Sequence, residues 1–321
     1  MTSSMDQAQS ALLELGFKLA RTGYRFTTPT PETHRRVLAR GDSGAGLTDV
    51  LGWNKYFTRS ALPGEIFDLL KEADCLERIG NNFLSKIRFS SFQSLLLAHS
   101  NYPTVEPDAV FFGPDTYRFG RAIRQVLKAL AAKGGFTPRS VVDIGAGSGA
   151  GGLLCAKLAP SITQVDLLDI NLKALRLCEV NAALNGINMA TALESDVMAG
   201  RDGMADLIVS NPPYLVDRGQ RAYRHGGGDW GCSLSLRILE EGMERLTENG
   251  FLLIYTGAPV VEGRDKFLEA ATPLLTERAR SYSYEEIDPD VFGEELEKPP
   301  YDQADRIAVV MLCISGTEVR R

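Results

Sequence analysis

From residue 140 to the end, the chain alternates short apolar runs with longer amphipathic ones. "SVVDIG", "TQVDLLD", "ADLIVSN" and "GFLLIYTG" are β-branched or apolar runs bounded by glycine, aspartate or asparagine. Each is followed by a helical pattern: "GGLLCAKLA", "LKALRLCEVNAALNG", "LSLRILEEGMERL" and "GRDKFLEAATPLL". Strands without polar alternation are buried on both faces, and helices between them serve as crossovers. The pattern predicts an α/β fold with a doubly wound, Rossmann-like parallel sheet. A further strand is expected near "ATALES", ending at "SDV". The last two runs, "ARSYSYEEI" and "RIAVVMLCI", are joined by "DPDVFGEELEKPPYDQ", too short a segment for a crossover helix. They are expected to pair antiparallel, which brings the sheet to seven strands.

The first third has a different texture. At 321 residues there is room for two domains. The expected division is 1–105 and 106–321. "SALLELGFKLARTGY" and "PETHRRVLARG" read as helices, the second opened by Pro31 and stopped by Gly41. "GDSGAG" reads as a loop, and "LTDVLGW" as a short helix capped by Thr48 or the residues before it. After a helix carrying Ile66, Leu69 and Leu70 come two alternating strands around Gly80-Asn81-Asn82, a hairpin signal. Helix, helix, hairpin predicts a smaller, mainly helical, winged-helix-like domain. It serves substrate recognition, dimerisation or packing; no helix in it is densely basic. "HSNYPTVEPDAVFFGPDTY", with Pro103, Pro107 and Pro114, reads as a linker.

A net charge of −6 argues against an extended nucleic-acid footprint, which needs clustered basic surface. Five scattered cysteines without Cys-x-x-Cys predict free thiols in a reducing cytoplasm. Three histidines share no metal-ligand spacing, so no metal is expected. The N-terminus lacks a basic region and Glu14 interrupts its apolar run, unlike a signal peptide. No apolar stretch approaches the roughly 20 residues of a membrane span.

The first strand of the sheet runs into "VVDIGAGSGAGG". Gly145, Gly147 and Gly149 let the backbone turn sharply and approach a ligand at a helix N-terminus. Gly147, Gly149 and Gly152 also satisfy the dinucleotide fingerprint, so the loop alone is ambiguous. Asp143 tilts the reading. A carboxylate there repels a pyrophosphate but suits a ligand carrying an ammonium and a sulfonium. The expected ligand is therefore S-adenosylmethionine rather than a dinucleotide. Asp169 ends the next strand, where it can accept bonds from two ribose hydroxyls, with Ile170 beside it. Asp196 is placed to meet the adenine amino group, with Val197 donating from its backbone.

The fourth strand delivers Asn211-Pro212-Pro213-Tyr214 to the carboxyl edge, where ligands bind in open α/β sheets. The prolines stiffen the turn and lack N–H groups. Asn211 offers a side-chain carbonyl and Tyr214 a flat ring. Two acceptors, Asn211 Oδ1 and the Pro212 carbonyl, can hold both protons of a planar –NH₂ and free its lone pair for attack. Carbonyl dipoles then stabilise the charge developing on nitrogen, and the ring fixes its plane.

Over about residues 108–315 the chain resembles class I S-adenosylmethionine-dependent methyltransferases that carry this tetrapeptide. They include protein-(glutamine-N5) methyltransferases of the release-factor type and amino-methyltransferases of adenine or guanine in RNA and DNA. "FFGPDTYRFGRAI" resembles the glutamine group's segment that opens a helix over the cofactor, through Pro114, Asp115 and Thr116. Gly113 stands where that group usually has arginine. "GGGDWGCSLSLRIL" loosely resembles another of its segments, with one residue displaced, and is equally a lid. The resemblance implies S-adenosylmethionine as cofactor and methylation of a planar nitrogen. The favoured acceptor is a protein glutamine, such as that of a translation factor, with RNA or DNA amino groups or a small molecule as alternatives. A nicotinamide oxidoreductase and a non-catalytic binding module remain as readings from other classes.

Overall fold

The computed structural model describes residues 5–41, 44–217 and 223–317. Asp42 and Ser43 of the "GDSGAG" loop lie outside these. The chain opens with helix α1 (Gln7–Arg21), α2 (Pro31–Leu38), α3 (Leu47–Leu51) and α4 (Gly64–Glu72). Asp6 starts α1 as a capping box: it accepts from the Gln9 N–H at 2.8 Å while the Gln9 side chain accepts from Asp6. Leu12, Leu15 and Leu19 share the buried stripe of α1. The cap of α3 is Gly46, one of the residues before Thr48.

The expected hairpin is present as β1 (Leu76–Ile79) and β2 (Asn82–Ser85), turning at Gly80 with φ 60°. A second hairpin follows, β3 (Ile87–Phe92) with β4 (Leu95–Ser100), which the sequence reading did not separate from the first. Its turn uses Gln93 at φ 56° rather than a glycine, so it lacks the usual signal. The linker is also shorter than expected, because β4 continues to Ser100 and a long helix, α5 (Pro114–Gly134), already begins at Pro114.

The remainder alternates as the pattern requires: β5 (Ser140–Ile144), α6 (Ala150–Leu158), β6 (Gln164–Asp169), α7 (Leu172–Leu184), β7 (Ala190–Glu194), β8 (Ala205–Ser210), α8 (Ser233–Glu244) and β9 (Leu246–Val261). Then come the two-residue β10 (Arg264–Asp265), α9 (Lys266–Arg278), β11 (Ala279–Asp288) and β12 (Arg306–Thr317). Seven strands run in the order β7-β6-β5-β8-β9-β12-β11, with β10 paired to β9 off this path. β12 is antiparallel to both neighbours, and β5 to β9 are mutually parallel. Successive residues serve opposite layers: Leu207 and Val209 join the Leu153, Leu154 and Tyr255 side, while Ile208 joins Leu239 and Phe267. The strand order reverses between β5 and β8, and the crevice at their carboxyl ends is where a ligand binds.

The N-terminal segment shares its core with the sheet domain. Leu15, Phe57, Leu70 and Phe89 pack in one cluster with Ala174, Leu177 and Val180 of α7. Asn181 and Asn185, one turn apart on α7, act as a surrogate strand for β4. Asn181 accepts from the Ala98 N–H at 2.7 Å and donates back to its carbonyl at 3.0 Å, and Asn185 does the same for Leu96. The backbone groups of Leu96 and Ala98 on that strand edge are thereby satisfied.

Among the described residues no helix is long and apolar enough to cross a membrane, and no cluster of side chains could hold a metal ion. The five cysteines are free.

Candidate functional site

The glycine loop after β5 turns through left-handed backbone at Gly145, Gly147 and Gly149, with φ 66°, 55° and 78°. A side chain would be strained at each. Asp143 lies beneath the loop, 2% exposed, and accepts the Gly152 N–H at 2.8 Å. A Cβ on Gly151 would stand 3.0 Å from both Asp143 oxygens and 2.8 Å from Phe119. The glycines therefore allow the first turn of α6 to close onto a carboxylate. Burial pushes Asp143 up to about 7; the Gly152 N–H opposes this only in part.

Asp169, at the end of β6, braces the same loop. Its Oδ2 accepts from the Gly147 N–H at 2.8 Å and its Oδ1 from the Asn171 N–H at 2.9 Å. Burial raises its pKa while these N–H groups hold it down. Ile170 is 57% exposed, an apolar side chain on the cavity wall. Asp196 turns its carboxylate to Arg237, 2.8 Å away, and Val197 beside it is buried with φ 52°.

β8 ends at Ser210, whose hydroxyl donates to the Ile144 carbonyl at 2.7 Å and ties the two central strands together. Asn211 follows, half-buried, then Pro212, Pro213 and the buried Tyr214. The Tyr214 ring lies on β9 where the strand has Gly257; a Cβ there would stand 2.3 Å from its Cδ2. Its hydroxyl donates to Asp115 Oδ2 at 2.5 Å. Asp115 Oδ1 accepts from Tyr255 at 3.3 Å and Arg118 at 3.0 Å, and Arg118 also pairs with Asp288 at 2.9 Å. Burial raises the pKa of Asp115, with Tyr214 and Arg118 opposing, and keeps Tyr214 protonated. Next to Asp115, Thr116 accepts the Gly113 N–H at 3.3 Å and closes the first turn of α5.

The loop between β11 and β12, read from the sequence only as a connection, completes the wall, and the glycine-rich segment read as a family segment or lid packs behind the acceptor turn. Phe292, in the loop between β11 and β12, meets the Tyr214 ring at 6.0 Å between centroids. The loop is anchored by the buried Tyr301, whose hydroxyl accepts from the Val216 N–H at 3.0 Å and donates to the Trp230 carbonyl at 3.2 Å. The glycine-rich stretch at 226–228 is docked: Gly226 donates to the Leu215 carbonyl at 2.8 Å and accepts from the Leu234 N–H at 2.8 Å.

One cavity of about 420 Å³ gathers these parts. Asp143, Gly145, Gly147, Asp169, Ile170, Asp196, Val197, Asn211, Pro212, Pro213, Tyr214 and Thr116 all line it; Gly149 does not, since it turns the chain into α6. The cavity also reaches Thr28, His34, Arg88 and Tyr102 of the N-terminal segment. None of these four lies in a recognisable motif, and nothing local marks them as cavity residues.

Residues 118–259 match the family described as methyltransferase small domain. A release factor glutamine methyltransferase of Rhodopirellula baltica is 34% identical over 143 residues, covering 40% of this chain and 48% of the relative. A ribosomal protein uL3 glutamine methyltransferase of Francisella tularensis is 32% identical over 130 residues, covering 37% and 41%. A tRNA1(Val) (adenine(37)-N6)-methyltransferase of Aeromonas hydrophila is 36% identical over 97 residues, covering 28% and 41%. The chain thus spans less than half the length of these three relatives. The family match, residues 118–259, takes in both the glycine loop and the Asn211–Tyr214 turn. Residues 118–259 are thus similar to the methyltransferase small domain family, on a sheet of the Rossmann-like class I S-adenosylmethionine-dependent methyltransferase type.

Proposed function

We propose that the protein is an S-adenosylmethionine-dependent N-methyltransferase acting on a planar –NH₂ group, with a protein glutamine side chain as acceptor. One observation carries this reading: the Asn211-Pro212-Pro213-Tyr214 turn shares a single cavity with the glycine loop, Asp143 and Asp169. The donor set fits the cofactor. Asp143 is a buried acid held by the neutral Gly152 N–H, and a cationic ligand would favour its charged form. Asp169 keeps lone pairs free for hydroxyl donors beyond the two N–H groups it already accepts. The cofactor supplies an electrophilic methyl on a sulfonium.

The chain's own residues do the rest. Asn211 Oδ1 and the Pro212 carbonyl accept the two acceptor protons and orient the nitrogen lone pair. Pro213 holds the turn, and Tyr214, clamped between Asp115 and Gly257, keeps it in register with α5. The N-terminal segment contributes the far wall and serves acceptor recognition. Glutamine is favoured over a nucleobase by the relatives named for glutamine methylation and by the −6 charge.

The test is incubation of full-length protein with methyl-labelled cofactor and cell extract. Label should enter protein, and Asn211→Ala should reduce transfer by about 10²–10³ with cofactor affinity within a few-fold. Near-full activity in Asn211→Ala would sink the mechanism. Label in RNA instead of protein would replace glutamine with a nucleobase amine.

A further inference from the structure

Arg88, on β3, is 3% exposed and lines the cavity, yet among the described residues none of its contacts is an anion. One Nη donates to Thr28 Oγ1 at 2.8 Å and the other faces His34 Nδ1 at 3.4 Å. Its Nε is buried without any partner. Burial lowers its pKa to about 10, and the titratable groups that act on it are the neutral phenols of Tyr24, Tyr117 and Tyr102, not carboxylates. A buried guanidinium normally has a paired carboxylate, because removing it from water is costly otherwise.

The two groups that orient Arg88 are neutral. His34 Nε2 donates to the Trp53 carbonyl at 2.7 Å, which leaves Nδ1 to accept from Arg88. Burial and Arg88 itself hold His34 down to about 4, so it carries no charge near neutrality. Tyr102 stacks on His34 with centroids 4.0 Å apart and closes that side. The guanidinium is therefore fixed in place, positive and uncompensated, in the same cavity as Asn211.

We propose that the Arg88 lobe is a carboxylate subsite, so that the methyl acceptor carries a carboxylate together with its planar amide. This rests on the N-methyltransferase reading. The carboxylate comes either from a free amino-acid amide or from an acidic residue near the target glutamine in a peptide. A guanidinium matches a planar carboxylate through two parallel N–H donors. A cavity of about 420 Å³ admits a group presented on a short side chain or at a chain end more readily than a polynucleotide backbone.

The test uses full-length protein labelled with ¹⁵N-arginine, with the Arg88 Nε–H resonance assigned by its absence in Arg88→Lys. Acetate, free glutamine, a capped peptide with glutamate beside glutamine and its glutamate-free control are titrated in turn. The Arg88 resonance should shift saturably with acetate and more tightly with one of the two amide probes; which one identifies the source. Arg88→Met should lose acetate binding while melting at or above the wild-type temperature, since it removes an uncompensated charge. No shift with any carboxylate overturns the proposal. So does a lower melting temperature in both Arg88→Met and Arg88→Lys, which would make the guanidinium structural. A single-stranded RNA oligonucleotide that binds only when Arg88 is present also overturns it. Carboxylate binding without methyl transfer to any amide would leave the subsite standing and reject the amide-acceptor reading instead.

Discussion

The hydroxyl of Tyr214 donates to Asp115 at 2.5 Å, joining residues 99 positions apart in the chain. One lies in the turn after β8 and the other in the first turn of α5. The bond couples the proposed acceptor turn to the helix whose N-terminus lines the same cavity. Tyr214→Phe keeps the ring but removes the donor. Asp115 retains Tyr255 and Arg118, so the fold survives. Loss of a charge-assisted bond costs about 1.5–3 kcal/mol. Turnover should fall about tenfold or more, because small misplacements of reacting groups carry large penalties. Stopped-assay kinetics would check this; unchanged turnover would show that the bond does not position the turn.

Gly257 is the complementary case, acting by shape alone. Its missing Cβ leaves room for Tyr214, and an added one would stand 2.3 Å from the ring. Gly257→Ala must displace the ring or bend β9, and overpacking of this kind costs about 1–3 kcal/mol. Turnover should fall at least as far as in Tyr214→Phe, with cofactor affinity little changed, since the glycine loop is on β5. Calorimetric cofactor binding alongside kinetics separates the two effects.

Asp143 gives a pH dependence with a definite sign. Its pKa rises from an ordinary 3.8 to about 7 on folding. A raised folded pKa means that the folded state holds the proton more tightly. The stabilisation is fully present below about 3.8, declines as pH rises, and is gone above about 7. Three pKa units set an upper limit of about 4 kcal/mol. The free protein should therefore melt at lower temperature at pH 8 than at pH 5, and Asp143→Asn should flatten that slope. A cationic ligand favours the ionised acid, so cofactor affinity should rise with pH toward 7 and level off. A pH-independent affinity would mean that Asp143 does not sense the ligand's charge.

What was legible in the sequence follows from what is local. The strand–helix alternation, the glycine turn and the Asn-Pro-Pro-Tyr stop are each written in contiguous residues, and the sheet was read correctly from them. The β3–β4 hairpin was missed because Gln93 makes its turn without glycine. Asn181 and Asn185 looked like ordinary helix residues, since their partners lie more than eighty positions away. Gly257 looked like the end of an apolar run, because only the folded chain sets Tyr214 against it. Arg88 gave no signal at all, being a single cation in a strand.

The loop between β11 and β12 offers a last separation of roles. Tyr301 holds it to the site through Val216 and Trp230, and Phe292 in the same loop meets Tyr214. Tyr301→Phe strips both bonds and leaves a part-buried N–H and carbonyl without this partner, at a cost of about 1–3 kcal/mol. The loop touches the acceptor turn and not the glycine loop, so the Michaelis constant for the acceptor should rise several-fold while the cofactor dissociation constant stays constant. Tyr282→Phe, at a site 45% exposed on β11, supplies the control and should change neither. Equal loss of acceptor and cofactor binding in Tyr301→Phe would mean that the loop supports the whole sheet edge rather than the acceptor side of the cavity.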